Sequence, residues 1–273
     1  MLGAPDRSSL LPTDVASATA EAPVNVSGVI QNATFDNIGD FNGWLGSSFG
    51  AGGTTSTNAE RYNMTFDTYQ DISGLPAGYY VATVQGYYRH GSSANDWTLY
   101  NSEDNTAGTQ AYFYATSGAE QKETMIQYAS EWAMPADSTW RQGVEAGDGM
   151  YIPNTMAQAK IWFDRTTDTP INQFVENKAY YNHCIQIYVD ETGYLRIGVK
   201  KDAKINDNDW SIFDNFQLYY VGSEEADLST AIKTVDVVEG AVKAEGIYNL
   251  QGQKLAAPVK GINIINGKKV LVK

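Results

Sequence analysis

Between positions 79 and 90 the chain alternates with period two. Tyr80, Ala82, Val84, Gly86 and Tyr88 form an apolar row, and Thr83, Gln85, Tyr87 and Arg89 a more polar one. Such alternation predicts a β-strand with one face buried and the other available. The same division returns in Ile185, Ile187 and Val189 against Gln186 and Tyr188, and in Ile212, Phe216 and Leu218 against Asn215, Gln217 and Tyr219. Residues 193–200 add a strand with Leu195, Ile197 and Val199 on one side. The run Asp71-Ile72-Ser73-Gly74-Leu75-Pro76-Ala77-Gly78 reads as a turn joining a strand at 61–70 to the one at 79–90. Pattern of this kind over about 190 residues is enough for one core, so the predicted class is all-β, an antiparallel β-sandwich over residues 26–222.

Two stretches break the alternation. Met125, Tyr128, Ala129 and Trp132 within 119–133, and Met156, Ala159 and Phe163 within 154–163, recur at helical spacing. Both are expected to be short helices laid over the sandwich, joined by long loops. Residues 1–25 are rich in Ala, Ser, Thr and Pro and read as a disordered leader or linker; residues 223–240 read as a second linker.

Charge narrows the partners. The formal charge is −13 and the sequence pI near 4.5, which argues against nucleic acid or an anionic membrane surface. Cys184, the single cysteine, excludes an internal disulfide framework and sits in a strand-like run as a small hydrophobe. No run of 18 apolar residues is present, so no transmembrane helix is expected. Residues 1–23 also lack the apolar segment of a signal peptide, which suggests a fragment of a longer polypeptide.

Residues 241–273 change the picture. Gly246-Ile247-Tyr248-Asn249-Leu250-Gln251-Gly252-Gln253-Lys254-Leu255 and the run from Pro258 to Lys273 are alternating strands around Gln251-Gly252 and Asn266-Gly267, able to pair as hairpins. Lys254, Lys260, Lys268, Lys269 and Lys273 collect there in an otherwise acidic chain. The segment resembles the C-terminal sorting domain of Bacteroidetes proteins exported by type IX secretion. That resemblance implies a secreted or cell-surface protein and makes the secretion machinery a partner.

A second resemblance covers roughly residues 28–222. Asn32-Ala33-Thr34-Phe35-Asp36 with Gly43-Trp44, Phe66-Asp67-Thr68-Tyr69-Gln70 with Gly74–Tyr80, and the closing run from Asp209 to Tyr220 are similar to galactose-binding-like, carbohydrate-binding jelly rolls. The long middle departs from the smallest members of that superfamily. The resemblance implies a jelly-roll sandwich and a structural calcium shared by Asp36 and Asp214, with backbone carbonyls of 37–42 as further oxygen ligands.

Ligand chemistry is expected to be aromatic. The chain has 6 Trp and 18 Tyr, and sugar C–H faces pack on such rings while hydroxyls need polar partners. Trp97 and Tyr100, in an expected polar loop over 92–109, and Trp140, beside Arg141 and Gln142, are candidates for carbohydrate binding. Gln85, Tyr87 and Arg89 form a second candidate patch, whose alternative reading is a face covered by the inserted helices. Trp44, Trp132, Trp162 and Trp210 read as packing residues.

Catalysis finds little support. The chain lacks a Gly-x-Ser-x-Gly elbow, a His-Glu-x-x-His zinc motif and the carboxylate pair of jelly-roll glycosidases, and His90 and His183 have no third ligand near in sequence. The leading expectation is a non-catalytic carbohydrate-binding module of a secreted polysaccharide-degrading system, taking neutral plant-type glycans. A cell-surface adhesion sandwich and a divergent glycoside hydrolase remain open.

Overall fold

The computed structural model describes residues 3–51, 57–102, 111–135, 143–163, 181–203 and 208–228, and in the C-terminal part 247–248, 254–255, 257, 261–265 and 268–272. Trp140, and the turns at Gln251-Gly252 and Asn266-Gly267, lie outside the described residues. The chain divides into two compact units, Met1–Ala231 and Ile232–Lys273.

The first unit begins with β1 (Val24–Asn25), β2 (Leu45–Gly46), β3 (Gly50–Ala51), β4 (Ala59–Tyr62), β5 (Phe66–Ile72) and β6 (Gly78–Arg89). Helix α1 (Ser93–Tyr100) follows, then β7 (Ala111–Ser117), β8 (Glu120–Met125), β9 (Met134–Pro135), β10 (Val144–Gly147) and β11 (Met150–Ile152). Helix α2 (Met156–Phe163), β12 (Asn182–Val189), β13 (Leu195–Lys201) and β14 (Trp210–Gly222) complete it. Two antiparallel sheets dominate. One has the order β12-β6-β14-β4-β3, with β1 also paired to β14; the other runs β2-β5-β13-β7-β8. The protein is an all-β antiparallel sandwich.

Both sheets contribute to one core. Tyr80, Ala82 and Val84 of β6 and Ile185 and Ile187 of β12 meet Phe113 and Ala115 of β7 and Leu195, Ile197 and Val199 of β13. The β6, β12 and β13 residues are the apolar rows that the alternation predicts, and β7 adds a row outside that prediction. Each fully buried Ile, Val or Phe contributes about 1.5–3 kcal/mol relative to exposure.

Strand β14 departs from strict alternation. Asp214 pairs with Gln85 and Gln217 with Thr83, so the β14 segment carries one residue more than its partner. Asn215 sits at φ 50° within this bulge. Phe213 therefore joins Phe216 and Leu218 in the main core, while Ile212 turns to the other face.

That other face is covered. Tyr87, Trp210 and Ile212 are buried against Ala129, Met134, Ala146, Ile152, Met156, Ala159 and Tyr181, a second cluster built from the β9–β11 sheet, α2 and the neighbouring segments. The inserted middle thus seals part of the six-stranded sheet.

Three local expectations are corrected. Residues 119–133 are not a helix: Glu120–Met125 pairs with β7, and only Ala129–Trp132 forms a 3-10 turn. Gly118, at φ +57°, makes the tight reversal that commits the segment to a hairpin. Residues 92–109 do not begin as a loop, because Ser92 caps α1 by accepting from the Asn95 amide at 3.2 Å. Residues 3–25 are not a detached leader in this fold. The Ser73 amide donates to the Pro5 carbonyl, the Arg7 amide to the Ser73 carbonyl, and Leu11, Val15 and Val24 pack on the main core. Scattered apolar residues in a polar stretch carry no periodicity, so only their contacts reveal this packing.

In the second unit β15 (Ile247–Tyr248), β16 (Lys254–Leu255), β17 (Gly261–Ile265) and β18 (Lys268–Val272) form an antiparallel sheet of order β16-β15-β17-β18. Among the described residues no helix is long and apolar enough to cross a membrane.

Candidate functional site

Among the described residues, no element packs over the outer face of the five-stranded sheet, and that face is chemically rich. On β5, Phe66, Thr68, Gln70 and Ile72 are buried while Asp67, Tyr69 and Asp71 point outward. On β13 the outward row is Arg196, Gly198 and Lys200, and on β7 it is Tyr112, Tyr114 and Thr116. Register brings these rows together: Arg196 lies opposite Asp71 and Thr116, Gly198 opposite Tyr69 and Tyr114, and Lys200 opposite Asp67 and Tyr112. At Gly198 a Cβ would stand 2.8 Å from the Tyr69 Cβ and 2.9 Å from the Tyr114 Cε1, so only glycine lets both tyrosines close over the strand.

A cavity of about 430 Å³ opens on this face, lined by Asp67, Tyr114, Thr116, Gln121, Tyr194, Arg196, Lys200 and Asp202. Its walls are tied down. Arg196 donates to both oxygens of Asp71, Nε at 2.7 Å and Nη2 at 3.0 Å, and Tyr194 donates to the same carboxylate at 2.8 Å. The Arg196 guanidinium also lies 3.7 Å from the Tyr69 ring centroid, a cation–π contact. Tyr114 donates to Asp67 at 2.6 Å, and Lys200 reaches Glu123 at 3.0 Å and Asp202 at 3.4 Å. Partial burial works to raise the Asp71 pKa, but the bonds from Arg196 and Tyr194 outweigh it and hold the carboxyl below its usual range. Burial first, then the bond to Asp67, pushes the Tyr114 hydroxyl upward, so it stays a proton donor. A pocket of fixed donors and acceptors between aromatic rings suits a polyhydroxylated ligand.

Of the residues singled out from the sequence, those among the described residues lie elsewhere. Trp97 and Tyr100 stack on one face of α1, with ring centroids 6.2 Å apart. Trp97 donates to Asp148 at 2.8 Å and lies against Gly147, where a Cβ would stand 2.5 Å from its Cδ1. It pins α1 to the β10–β11 hairpin. Tyr100 meets Tyr128 at 6.3 Å. In the β6 patch Tyr87 is fully buried, Gln85 is half-buried, and Arg89 is held by Asn154 at 2.6 Å, the Gly91 carbonyl at 3.0 Å and the Trp210 ring at 4.9 Å. The expectation that Tyr87 is available is corrected, because the inserted segments cover it, while Gln85 and Arg89 stay part-exposed. Of the expected packing residues, Trp44 packs against Phe216 at 4.5 Å, and Trp210 donates to Glu60 at 2.8 Å.

Beside Trp97, Asp96 is fully buried. It accepts from the His90 amide at 2.6 Å and from the Ser130 amide and hydroxyl at 3.0 and 2.6 Å. Burial raises its pKa to about 6 against these bonds. His183, also fully buried, accepts from the Gln127 amide at 2.9 Å, and burial lowers its pKa to about 4.

The donors expected for calcium occupy different surroundings. Asp36 is exposed and accepts from Thr34, whereas Asp214 is fully buried and accepts from the Asn215 amide at 2.7 Å. Hard oxygen donors are the right chemistry for calcium, but among the described residues no three of His, Cys, Asp and Glu gather as metal ligands.

The apolar side of β13 is the one its alternation makes conspicuous; Arg196, Gly198 and Lys200 at alternate positions on the opposite side are the sequence signal of this face.

Fold and face together define an antiparallel β-sandwich with an open polar and aromatic sheet surface. No family model matches the chain, and no curated protein matches it. Among solved structures, one of TmCBM61 in complex with beta-1,4-galactotriose matches at 12% identity and a TM-score of 0.37, covering 70% of this chain and 97% of that one. A likeness at that level says nothing of what this chain binds.

Proposed function

We propose that this chain is a non-catalytic carbohydrate-binding sandwich that holds a glycan on the outer face of the five-stranded sheet. The observation that carries the reading is the cavity of about 430 Å³ whose donors and acceptors are fixed by the Arg196–Asp71, Tyr114–Asp67 and Lys200–Glu123 contacts. Preorganised polar groups lose little freedom when a ligand docks, which favours the weak contacts a sugar offers. Neutral plant-type polysaccharides are the first ligands to try, since the net charge of −13 opposes acidic ones.

A glycan array followed by titration calorimetry tests this. Arg196→Ala should weaken the best ligand by roughly 10-fold while the fold survives. If the parent protein binds no glycan, the reading fails and a protein-binding sandwich takes its place; release of reducing sugar would instead favour a hydrolase.

Two further parts belong to the same proposal. Residues 241–273 are taken as a type IX sorting signal, which would place the protein outside the cell; fusing them to a carrier in a host with that system should export the carrier, and retention inside sinks the idea. A structural calcium at Asp36 and Asp214 would make chelation lower the melting temperature without abolishing glycan binding. An unchanged melting curve counts against it.

A further inference from the structure

Each cation of the sheet-face cavity already has an anionic partner. Arg196 is clamped by Asp71, and Lys200 sits between Glu123 and Asp202. Asp67 differs. It lies directly opposite Lys200 in the strand register, yet the lysine turns to the other two carboxylates, and among the described residues no cation is in ion-pair contact with Asp67. One of its oxygens, Oδ1, accepts from Tyr114, a ring only 5% exposed and so unable to swing away. The carboxylate is exposed but aimed. With the partners Asp71 and Glu123 included, four carboxylates surround two cations.

We propose that Asp67 is the specificity-determining residue of this face, and that the site ranks glycans by charge: a sugar bearing a protonated amine first, its neutral counterpart second, its uronate last. The inference rests on the carbohydrate reading of the same face. Its physical basis is the unbalanced carboxylate. A positioned carboxylate accepts from a sugar hydroxyl, accepts more strongly from an ammonium, and repels a second carboxylate. At hydrogen-bond range near a protein surface, one unit charge changes affinity by about 5-fold or more, and salt reduces the difference.

The test uses the full chain on printed glycans of matched stereochemistry, with hexose, hexosamine and uronate members of both the gluco and galacto series, at low and high salt. The parent should prefer the hexosamine to the hexose, and the hexose to the uronate, by about 5-fold at each step, with the steps shrinking in high salt. Asp67→Asn keeps the size and should collapse the order to within about 2-fold. Tyr114→Phe, which removes only the hydroxyl that orients Asp67, should weaken the hexosamine preference without reversing it. A parent that prefers uronates, or an Asp67→Asn protein that keeps the parental order, overturns the inference while leaving glycan binding intact. Binding of no member in either series would sink the carbohydrate reading itself, and this inference with it. Thermal melting of both variants, matched to the parent, separates loss of selectivity from loss of fold.

Discussion

Lys201 Nζ lies 2.6 Å from Asp209 Oδ2, with the two side chains 2% and 1% exposed. The pair joins the end of β13 to the residue just before β14, which links the two sheets, and the ammonium lies 5.6 Å from the Tyr88 ring. Removing one member of a buried pair leaves an uncompensated charge. Lys201→Met should therefore cost about 3–5 kcal/mol in urea unfolding. Lys201→Met combined with Asp209→Leu should recover much of that loss, since an apolar pair of similar volume avoids both desolvation penalties. A double variant no better than the single would mean that the pair matters for packing alone.

Asp96 and His183 make opposite demands on pH. The folded pKa of His183 is about 4, below the ordinary 6.5, so the unfolded chain takes up the proton first and stability is lost as pH falls from 6.5 to about 4. The folded pKa of Asp96 is about 6, above the ordinary 3.8, so the folded state takes up the proton first and stability is gained as pH falls from 6 to 3.8. The two nearly cancel between pH 6 and 4. His183→Asn should then grow more stable on acidification relative to the parent, and Asp96→Asn less stable. Each effect is on the order of 3 kcal/mol across the window. Parallel pH profiles for all three proteins would contradict both assignments.

Trp97 is expected to act on stability more than on binding. Its ring fills the space above Gly147 and its indole nitrogen bonds Asp148, which fastens α1 to the β10–β11 hairpin. Trp97→Ala should lower stability by about 1–3 kcal/mol, less than a wholly buried Trp, because the ring is only part-buried. Gly147→Ala should do the same from the other side, since a methyl group there would stand 2.5 Å from the indole. Glycan affinity that falls in either variant while the melting temperature holds would move the binding site to α1.

The clamp on the open sheet can be dissected separately. Asp71→Asn removes a carboxylate that receives Arg196 and Tyr194, so the guanidinium loses its anchor over Tyr69. These groups are partly exposed, so stability should change by no more than about 1 kcal/mol. Affinity should fall more than stability, because orientation is what the clamp supplies. Calorimetry beside a melting curve checks this; equal losses in both would reduce Asp71 to a structural role.

The sequence by itself determined the sandwich. Period-two alternation is local, so the buried rows of β6, β12 and β13 were legible in Tyr80–Val84, Ile185–Val189 and Leu195–Val199. It also located the C-terminal strands, whose alternation is a short-range signal. Only the tertiary structure decided which polar face stays open. The odd row of β6 looked available, but segments that follow it in the chain bury Tyr87. The bulge at Asp214 to Gln217 shifted the inward parity of β14, which a pattern of types alone does not disclose. Trp97 read as an exposed loop aromatic because its partner Asp148 stands 51 positions away. Arg196 and Asp71, 125 positions apart, meet only because β13 and β5 are neighbours in the sheet. A candidate site is a coincidence of distant strands in register, and register is settled by the packing of the whole core.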